Sequence, residues 1–357
     1  MSKPSLDSAD MLGKIRDLPR QLRSGFRLGE DAWRSLACPR PEVLAVAGMG
    51  GSALCGDLLK LYLARQADIP VLVFRDYGLP RFVGEQAMVV VSSYSGNTEE
   101  TLSALDDAIA RKAFVVCITS GGRLLEEARK RSLPCVQIPG GLPPRASLGY
   151  SFSALLALAW RAGLCPDPRE ELAGCSDHLE SLDETYRSSE PAGNPALGLA
   201  GDLRGRVPII YCGADLEAVG LRWKNQFCEN SKQMAFASVV PEANHNEVMG
   251  WEGDVEGMVP GIVVLRTPDE HPSSAQSLSM LKRIAGTGGG FCGEFWASGS
   301  SLLCRQFSLI LLGDYASVYL ALARGVDPTP IRTIDRIKAW LKEDPGRTDE
   351  SHNPSCR

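Results

Sequence analysis

Glycine and hydroxyl residues stand directly after two short apolar runs, at the points where each run gives way to a helical pattern. Residues 43–47 lead into Gly48-Met49-Gly50-Gly51-Ser52, and residues 88–91 lead into Ser92-Ser93-Tyr94-Ser95-Gly96-Asn97-Thr98. A strand that ends in small residues and opens a helix presents free backbone N–H groups and the positive end of the helix dipole. Both turns therefore suit an anionic ligand.

The second turn carries three hydroxyl donors, Ser93, Ser95 and Thr98, and it contains no lysine. Short O–H donors can surround a phosphate group without adding charge, which suits reversible binding of a sugar phosphate. The first turn has another interpretation, because Gly48-x-Gly50-x-x-Ala53 fits the relaxed dinucleotide fingerprint, with Asp76 after the next apolar run. A nicotinamide-dependent enzyme is thus an alternative, but a dinucleotide fold has no need for the hydroxyl-rich second turn.

Composition limits the class of protein. The chain has 357 residues, which predicts two domains, and its net charge of −5 with no basic stripe argues against a nucleic-acid ligand. The eleven cysteines are scattered without a C-x-x-C pair, and the four histidines are isolated, so we expect free thiols in a reducing compartment and no histidine-built metal site. We expect a cytoplasmic protein, since residues 1–12 are polar and Asp314 interrupts the apolar stretch 307–323, which reads as a buried core helix.

Short β-branched runs alternate with helix-length segments in two parts of the chain, which predicts an α/β fold of two parallel-sheet sandwich subdomains. The predicted strands are 43–47, 71–74, 88–92, 114–118 and 135–138, then 207–211, 234–240 and 261–265. A glycine-rich loop at 286–290 precedes residues 291–296, and the main predicted helices are 147–160, 215–230, 302–324 and 331–342. The predicted organisation is a solvated helical preface at 1–40, a first, phosphate-binding subdomain at 41–165, a linker helix at 166–195, a second, catalytic subdomain at 196–342 and a polar tail at 343–357.

Taken together, GMGGSALCGD and SSYSGNTEET resemble the sugar isomerase (SIS) domain family. The second half narrows the resemblance through Glu229-Asn-Ser-Lys232, PEANHNEVMGW at 241–251, LGDYASVYL at 312–320 and DPTPI at 327–331. With these motifs the chain, from about Val43 to Lys342, is similar to the bifunctional phosphoglucose/phosphomannose isomerases. The resemblance implies interconversion of glucose 6-phosphate and mannose 6-phosphate with fructose 6-phosphate through ring opening and an enediol, by a cofactor-independent dimer.

The resemblance also implies a role for particular side chains. Glu229 would move the proton between C2 and C1, and it lies off the apolar stripe of its helix, so it can point into a cleft. His245 would be contributed by the partner subunit and move the ring-oxygen proton, Arg145 would stabilise the enediolate, and Lys338 would help ring opening. Gly50, Gly51 and Ser52 would lie along the sugar, with Ser93, Ser95 and Thr98 on the phosphate.

Two points stay open from the sequence. A threonine near the C-terminal helix would allow both C2 epimers to react, and Thr329 and Thr333 are both candidates. A non-catalytic sugar-phosphate sensor is the main alternative function, since it would need the phosphate loop but not Glu229. Zinc-dependent β-barrel mannose-phosphate isomerases are excluded by the histidine count and the α/β pattern.

Overall fold

The computed structural model describes residues 6–33, 40–253, 257–286 and 290–343. Its helices are α1 (Met11–Arg16), α2 (Leu18–Trp33), α3 (Gly50–Leu63), α4 (Glu99–Ala110), α5 (Gly122–Lys130), α6 (Leu148–Arg161), α7 (Arg169–Tyr186), α8 (Pro195–Asp202), α9 (Glu217–Glu229), α10 (Pro272–Ala285), α11 (Leu302–Ala323) and α12 (Arg332–Glu343). Its strands are β1 (Val43–Ala47), β2 (Val71–Phe74), β3 (Ala87–Ser92), β4 (Phe114–Thr119), β5 (Cys135–Gln137), β6 (Val207–Gly213), β7 (Phe236–Val240), β8 (Pro260–Arg266) and β9 (Phe291–Trp296).

The first sheet has the strand order β2-β1-β3-β4-β5, and all its pairings are parallel. Every residue of β3 is buried, as expected for a central strand covered by helices on both faces. The chain leaves β1 toward β2 on one side and leaves β3 toward β4 on the other. The strand order therefore reverses between β1 and β3, and a crevice at the carboxyl ends of these two strands is where such sheets bind ligands.

The second sheet has the order β7-β6-β8-β9 and is also parallel throughout. The two predicted parallel sheets are thus confirmed, with strand ends shifted by at most two residues. Helix α10 was not anticipated, because only three of its residues are buried (Leu278, Leu281 and Ala285) and its apolar pattern is weak. The predicted glycine-rich loop at 286–290 and the polar tail fall largely outside the described residues.

The N-terminal segment differs from the expectation of a solvated preface. Leu22 and Phe26 of α2 are buried against α6. Small residues allow this close approach, since a Cβ added to Gly25 would come within 2.4 Å of the Tyr150 carbonyl oxygen. Helix α7, predicted as a linker, likewise buries Leu172, Cys175 and Leu179. The apolar faces of these helices close the core that joins the two sheets.

Helix α11 lies at the centre of that core. It is the one helix of the described ranges long and apolar enough to cross a membrane, but 83% of its apolar window is buried inside the fold. The prediction of a buried core helix is therefore confirmed. After Arg305 the helix contains a single charged residue, Asp314, and that residue is also buried.

Candidate active site

The two small-residue turns meet at the crevice between β1 and β3. A Cβ on Gly48 would lie 2.8 Å from the Ser92 carbonyl oxygen, so the two turns touch through backbone. Within the second turn the hydroxyl oxygens of Ser93 and Thr98 are 2.9 Å apart, and the Gly96 N–H donates to the Ser93 hydroxyl at 3.1 Å. Helix α4 begins at the next residue, so these hydroxyls lie at its positive end.

The loop after β4 packs closely against the second turn. Gly96 has a φ of +69°, and a Cβ there would come within 1.8 Å of the Gly121 carbonyl oxygen, so a side chain does not fit. The buried Tyr94 connects the turn to the following segment, because its hydroxyl donates to Pro139 O (3.1 Å) and accepts from the Leu142 N–H (2.8 Å). That segment runs directly into the turn that carries Arg145.

Arg145 lies on a short 3-10 turn over Pro144–Ala146, and its side chain is buried. Its Nε donates to Asn230 Oδ1 at 2.6 Å, and its Nη2 donates to the carbonyl oxygens of Pro328 (2.8 Å) and Thr329 (2.9 Å). Its Nη1 lies 3.4 Å from Glu229 Oε2. Burial lowers the pKa of the Arg145 guanidinium, and the charge of the Glu229 carboxylate opposes this shift.

Glu229 is the last residue of α9, whose buried face includes Trp223 and Phe227. Its carboxylate side chain keeps 33% of its surface exposed and lines a cavity of about 720 Å³. The structure thus brings Glu229 and Arg145 together from different halves of the chain. Thr333 lines the same cavity, whereas Thr329 binds Arg145 through its carbonyl, so the choice between the two threonines stays open.

A buried polar network that was not expected from the sequence lies beneath this pair. Arg222 of α9 forms a bidentate ion pair with Asp314 of α11 at 2.7–3.0 Å and also donates to Arg145 O at 2.7 Å. Asn230, which holds the Arg145 Nε, donates to the Ser317 hydroxyl at 2.9 Å. Asp314 was itself a signal, because a carboxylate inside an apolar core helix requires a buried partner.

His245 is exposed on a 3-10 turn over Glu242–His245, just after the edge strand β7. Glu247 anchors this segment, since its carboxylate accepts hydrogen bonds from Tyr211 (2.6 Å) and Ser238. His245 does not line the cavity of Glu229, and neither does Lys338, which is exposed on α12. Their predicted roles therefore stay predictions.

The first turn approaches the Arg145 turn. A Cβ on Gly51 would lie 3.5 Å from Pro144 O, and Gly50 adopts a φ of +52° at the start of α3. Ser52 is buried in the first turn of the same helix. Adjacent chain segments thus link the hydroxyl-rich crevice to the Arg145–Glu229 pair.

Comparison with known proteins identifies the family. Residues 192–341 match the model of the bacterial phospho-glucose isomerase C-terminal SIS domain. The chain is 39% identical over 338 residues to a bifunctional phosphoglucose/phosphomannose isomerase of Caldicellulosiruptor bescii, covering 93% of this chain and 99% of that protein. It is 35% identical to the protein of the same name from Aquifex aeolicus, covering 84% and 90%.

The fold has a counterpart among solved structures as well. A hypothetical protein of Thermus thermophilus superposes with a TM-score of 0.71 at 17% identity, covering 95% of this chain and 91% of that one. At this identity the likeness concerns the fold alone. On the evidence of its sequence relatives, the chain belongs to the bifunctional phosphoglucose/phosphomannose isomerase family.

Proposed function

We propose that the protein is an aldose–ketose isomerase that interconverts glucose 6-phosphate and mannose 6-phosphate with fructose 6-phosphate. The observation that carries the proposal is the Glu229–Arg145 pair, in which a partly exposed carboxylate stands 3.4 Å from a buried guanidinium at the edge of a cavity. The names of the curated relatives support the same reaction.

The chemistry needs one group to move a proton and another to stabilise negative charge. After ring opening, Glu229 takes the proton from C2 and returns it at C1, passing through an enediol. Asn230, Pro328 and Thr329 engage the Nε and Nη2 of Arg145, so Nη1 is the edge that faces Glu229 and can stabilise an enediolate oxygen. Glucose and mannose differ only at C2, which is planar in the enediol, so one base serves both epimers when the open-chain substrate rotates about its C2–C3 bond and presents either face.

The hydroxyls of Ser93, Ser95 and Thr98, with Gly50, Gly51 and Ser52, hold the phosphate and the sugar in this proposal. The crevice position and the start of α4 support it. A sugar-phosphate sensor would need this crevice alone, whereas the buried support beneath Arg145 and Glu229 favours catalysis. A cytoplasmic location agrees with the buried position of α11.

The assay that tests the function measures turnover of both 6-phosphates by the purified protein, before and after treatment with a chelator. We expect isomerisation of both sugars and full activity after chelation and dialysis, because the proposed chemistry uses a carboxylate and a guanidinium. Binding of fructose 6-phosphate without turnover would favour the sensor. Activity that disappears with the chelator and returns with zinc or magnesium would contradict the metal-free mechanism.

The active species in this proposal is a homodimer whose site is completed by the partner's His245. Exposed apolar side chains support a second copy as the partner: Met234, Phe236 and Met249, with Ile334, Ile337 and Trp340 of α12, are all at least 38% exposed. Two of them, Met234 and Ile334, also line the cavity beside Glu229. The exposed His245 lies between Phe236 and Met249 in the chain.

Subunit mixing tests the shared site. His245→Ala and Glu229→Gln homodimers should each be nearly inactive, but re-associated heterodimers should recover activity because one of their two sites contains both native groups. The measurement is turnover after denaturant-free exchange, with subunit exchange verified by mass spectrometry of tagged chains. No recovery in verified heterodimers would show that both groups act within one chain.

A further inference from the structure

Lys232 follows the end of α9 and lines the same cavity as Glu229. Its backbone has a φ of +50°, in the left-handed region that non-glycine residues adopt at a cost in free energy. Such a conformation persists where surrounding contacts impose it. In Lys232, the side-chain ammonium makes contacts that hold this part of the backbone in place.

The ammonium satisfies the carbonyl end of α9. Its Nζ donates to the Glu229 carbonyl oxygen at 2.5 Å and approaches the Asn230 carbonyl oxygen at 3.5 Å. The last carbonyls of a helix have no partner within it, and a cation there also interacts favourably with the helix dipole. Lys232 therefore fixes the backbone of the very residue whose carboxylate faces Arg145.

The same ammonium reaches a second segment of the chain. Its Nζ donates to Pro328 O at 3.0 Å, and Pro328 O also accepts from Arg145 Nη2 at 2.8 Å. One carbonyl is thus shared by Lys232 and Arg145, which come from opposite halves of the chain. The Pro328 carbonyl therefore connects the Arg145 guanidinium to Lys232, and through Lys232 to the end of α9.

Four charged groups surround Lys232. Arg145 and Glu229 face it from the first subdomain and from α9, Asp327 lies in the loop after α11, and Arg332 of α12 lines the same cavity. Burial, followed by the charge of Arg145, lowers the pKa of Lys232 to about 8, while Asp327 and Glu229 oppose the shift. The ammonium is therefore present below that pH and is lost as the pH rises through it.

We propose that Lys232 is a positioning residue for the isomerisation, whose ammonium joins the backbone of Glu229 to the loop that holds Arg145 and so sets the distance between carboxylate and guanidinium. The inference rests on the proposed function. The neutral amine keeps two N–H donors but loses the third donor and its charge, so charge-assisted hydrogen bonds become ordinary ones. Turnover should consequently fall on the alkaline side.

The test compares Lys232→Met and Lys232→Arg with the wild-type protein across a pH series, using fructose 6-phosphate. Lys232→Met should lower kcat about tenfold to a hundredfold with KM changed less than about twofold, because misplaced reacting groups cost turnover rather than phosphate binding. Lys232→Arg should restore much of kcat. It should also remove the fall in kcat that the wild type shows above about pH 8, since a guanidinium stays charged there.

Lys112→Met is the matched control. Lys112 also has a left-handed backbone, with a φ of +57°, and it pairs with Glu85 at 3.2 Å on the surface of the first subdomain. This variant should retain wild-type kcat and the wild-type alkaline fall. The comparison distinguishes the effect of replacing a lysine with a left-handed backbone from the effect of removing the contacts that the Lys232 ammonium makes.

The outcomes distinguish the two proposals. An inactive wild-type protein overturns the proposed function and this inference with it. An active wild type with an unchanged kcat in Lys232→Met overturns the inference alone. If Lys232→Met does not fold, Lys232→Arg provides the test. A decrease in kcat above about pH 8 that is identical to that of the wild type would assign the titration to another group and overturn the role of Lys232.

Discussion

Replacing Glu229 by glutamine should lower kcat by about a hundredfold or more, the usual contribution of a positioned general base. Glutamine keeps the size of the side chain and a carbonyl oxygen that can face Arg145 Nη1, but it cannot accept the proton from C2. Apparent affinity for fructose 6-phosphate should hardly change, because in the proposed complex the phosphate is held in the crevice of the first subdomain. The measurement is a coupled assay of kcat and KM with each 6-phosphate, together with the melting temperature.

Ser95→Ala is the complementary variant for this experiment. It removes the hydroxyl that accepts a hydrogen bond from the Asn97 N–H at 3.3 Å in the second turn. In the proposed complex this hydroxyl lies far from the reacting carbons. It should raise KM more than it lowers kcat. Turnover close to that of the wild type in folded Glu229→Gln, with both sugars, would place the base elsewhere and favour the sensor.

Replacing Asp314 by alanine should lower the free energy of unfolding by about 3–5 kcal/mol, the range found when one partner of a buried ion pair is removed. The Arg222 and Asp314 side chains are only 3% and 5% exposed, and Gln226 also donates to Asp314 at 2.8 Å. The variant leaves the Arg222 charge buried without its carboxylate. Urea unfolding at neutral pH, followed by circular dichroism, measures the loss.

A surface ion pair provides the control. Asp215 stands 3.8 Å from Arg65, and both side chains are substantially exposed, so Asp215→Ala should cost less than about 1 kcal/mol. The double variant Arg222→Met/Asp314→Leu should recover part of the loss, because no charge is then left unpaired in the core. Equal losses in Asp314→Ala and Asp215→Ala would show that the buried pair contributes little to stability.

The two parallel sheets, and the small-residue turns that follow two of their strands, could be predicted from the amino-acid sequence. Periodicity sufficed for the strands because central parallel strands such as β3 are buried on both faces and read as unbroken apolar runs. The crevice itself depends on the strand order, because the two turns share one edge of the sheet only where β1 and β3 pair side by side. The motif around Glu229 indicated a carboxylate directed into a cleft, and Glu229 does line the cavity.

The surroundings of that carboxylate depend instead on the packing of distant segments. The buried network joins three residues that lie far apart in the chain: Arg145, Arg222 and Asp314. No local sequence pattern specifies that the Arg222 guanidinium donates to both the Asp314 carboxylate and the Arg145 carbonyl oxygen. The burial of α2 depends on distant packing as well, since its apolar face (Leu18, Leu22 and Phe26) was interpreted as part of a solvated segment and only the fold shows that α6 covers it. Lys232 closes the motif Glu229-Asn-Ser-Lys232, but nothing in the sequence gives it a role, and the proposed role depends on a carbonyl 96 residues away in the chain. Local sequence sets secondary structure and turn chemistry, whereas buried polar contacts depend on which distant segments the packed core brings together.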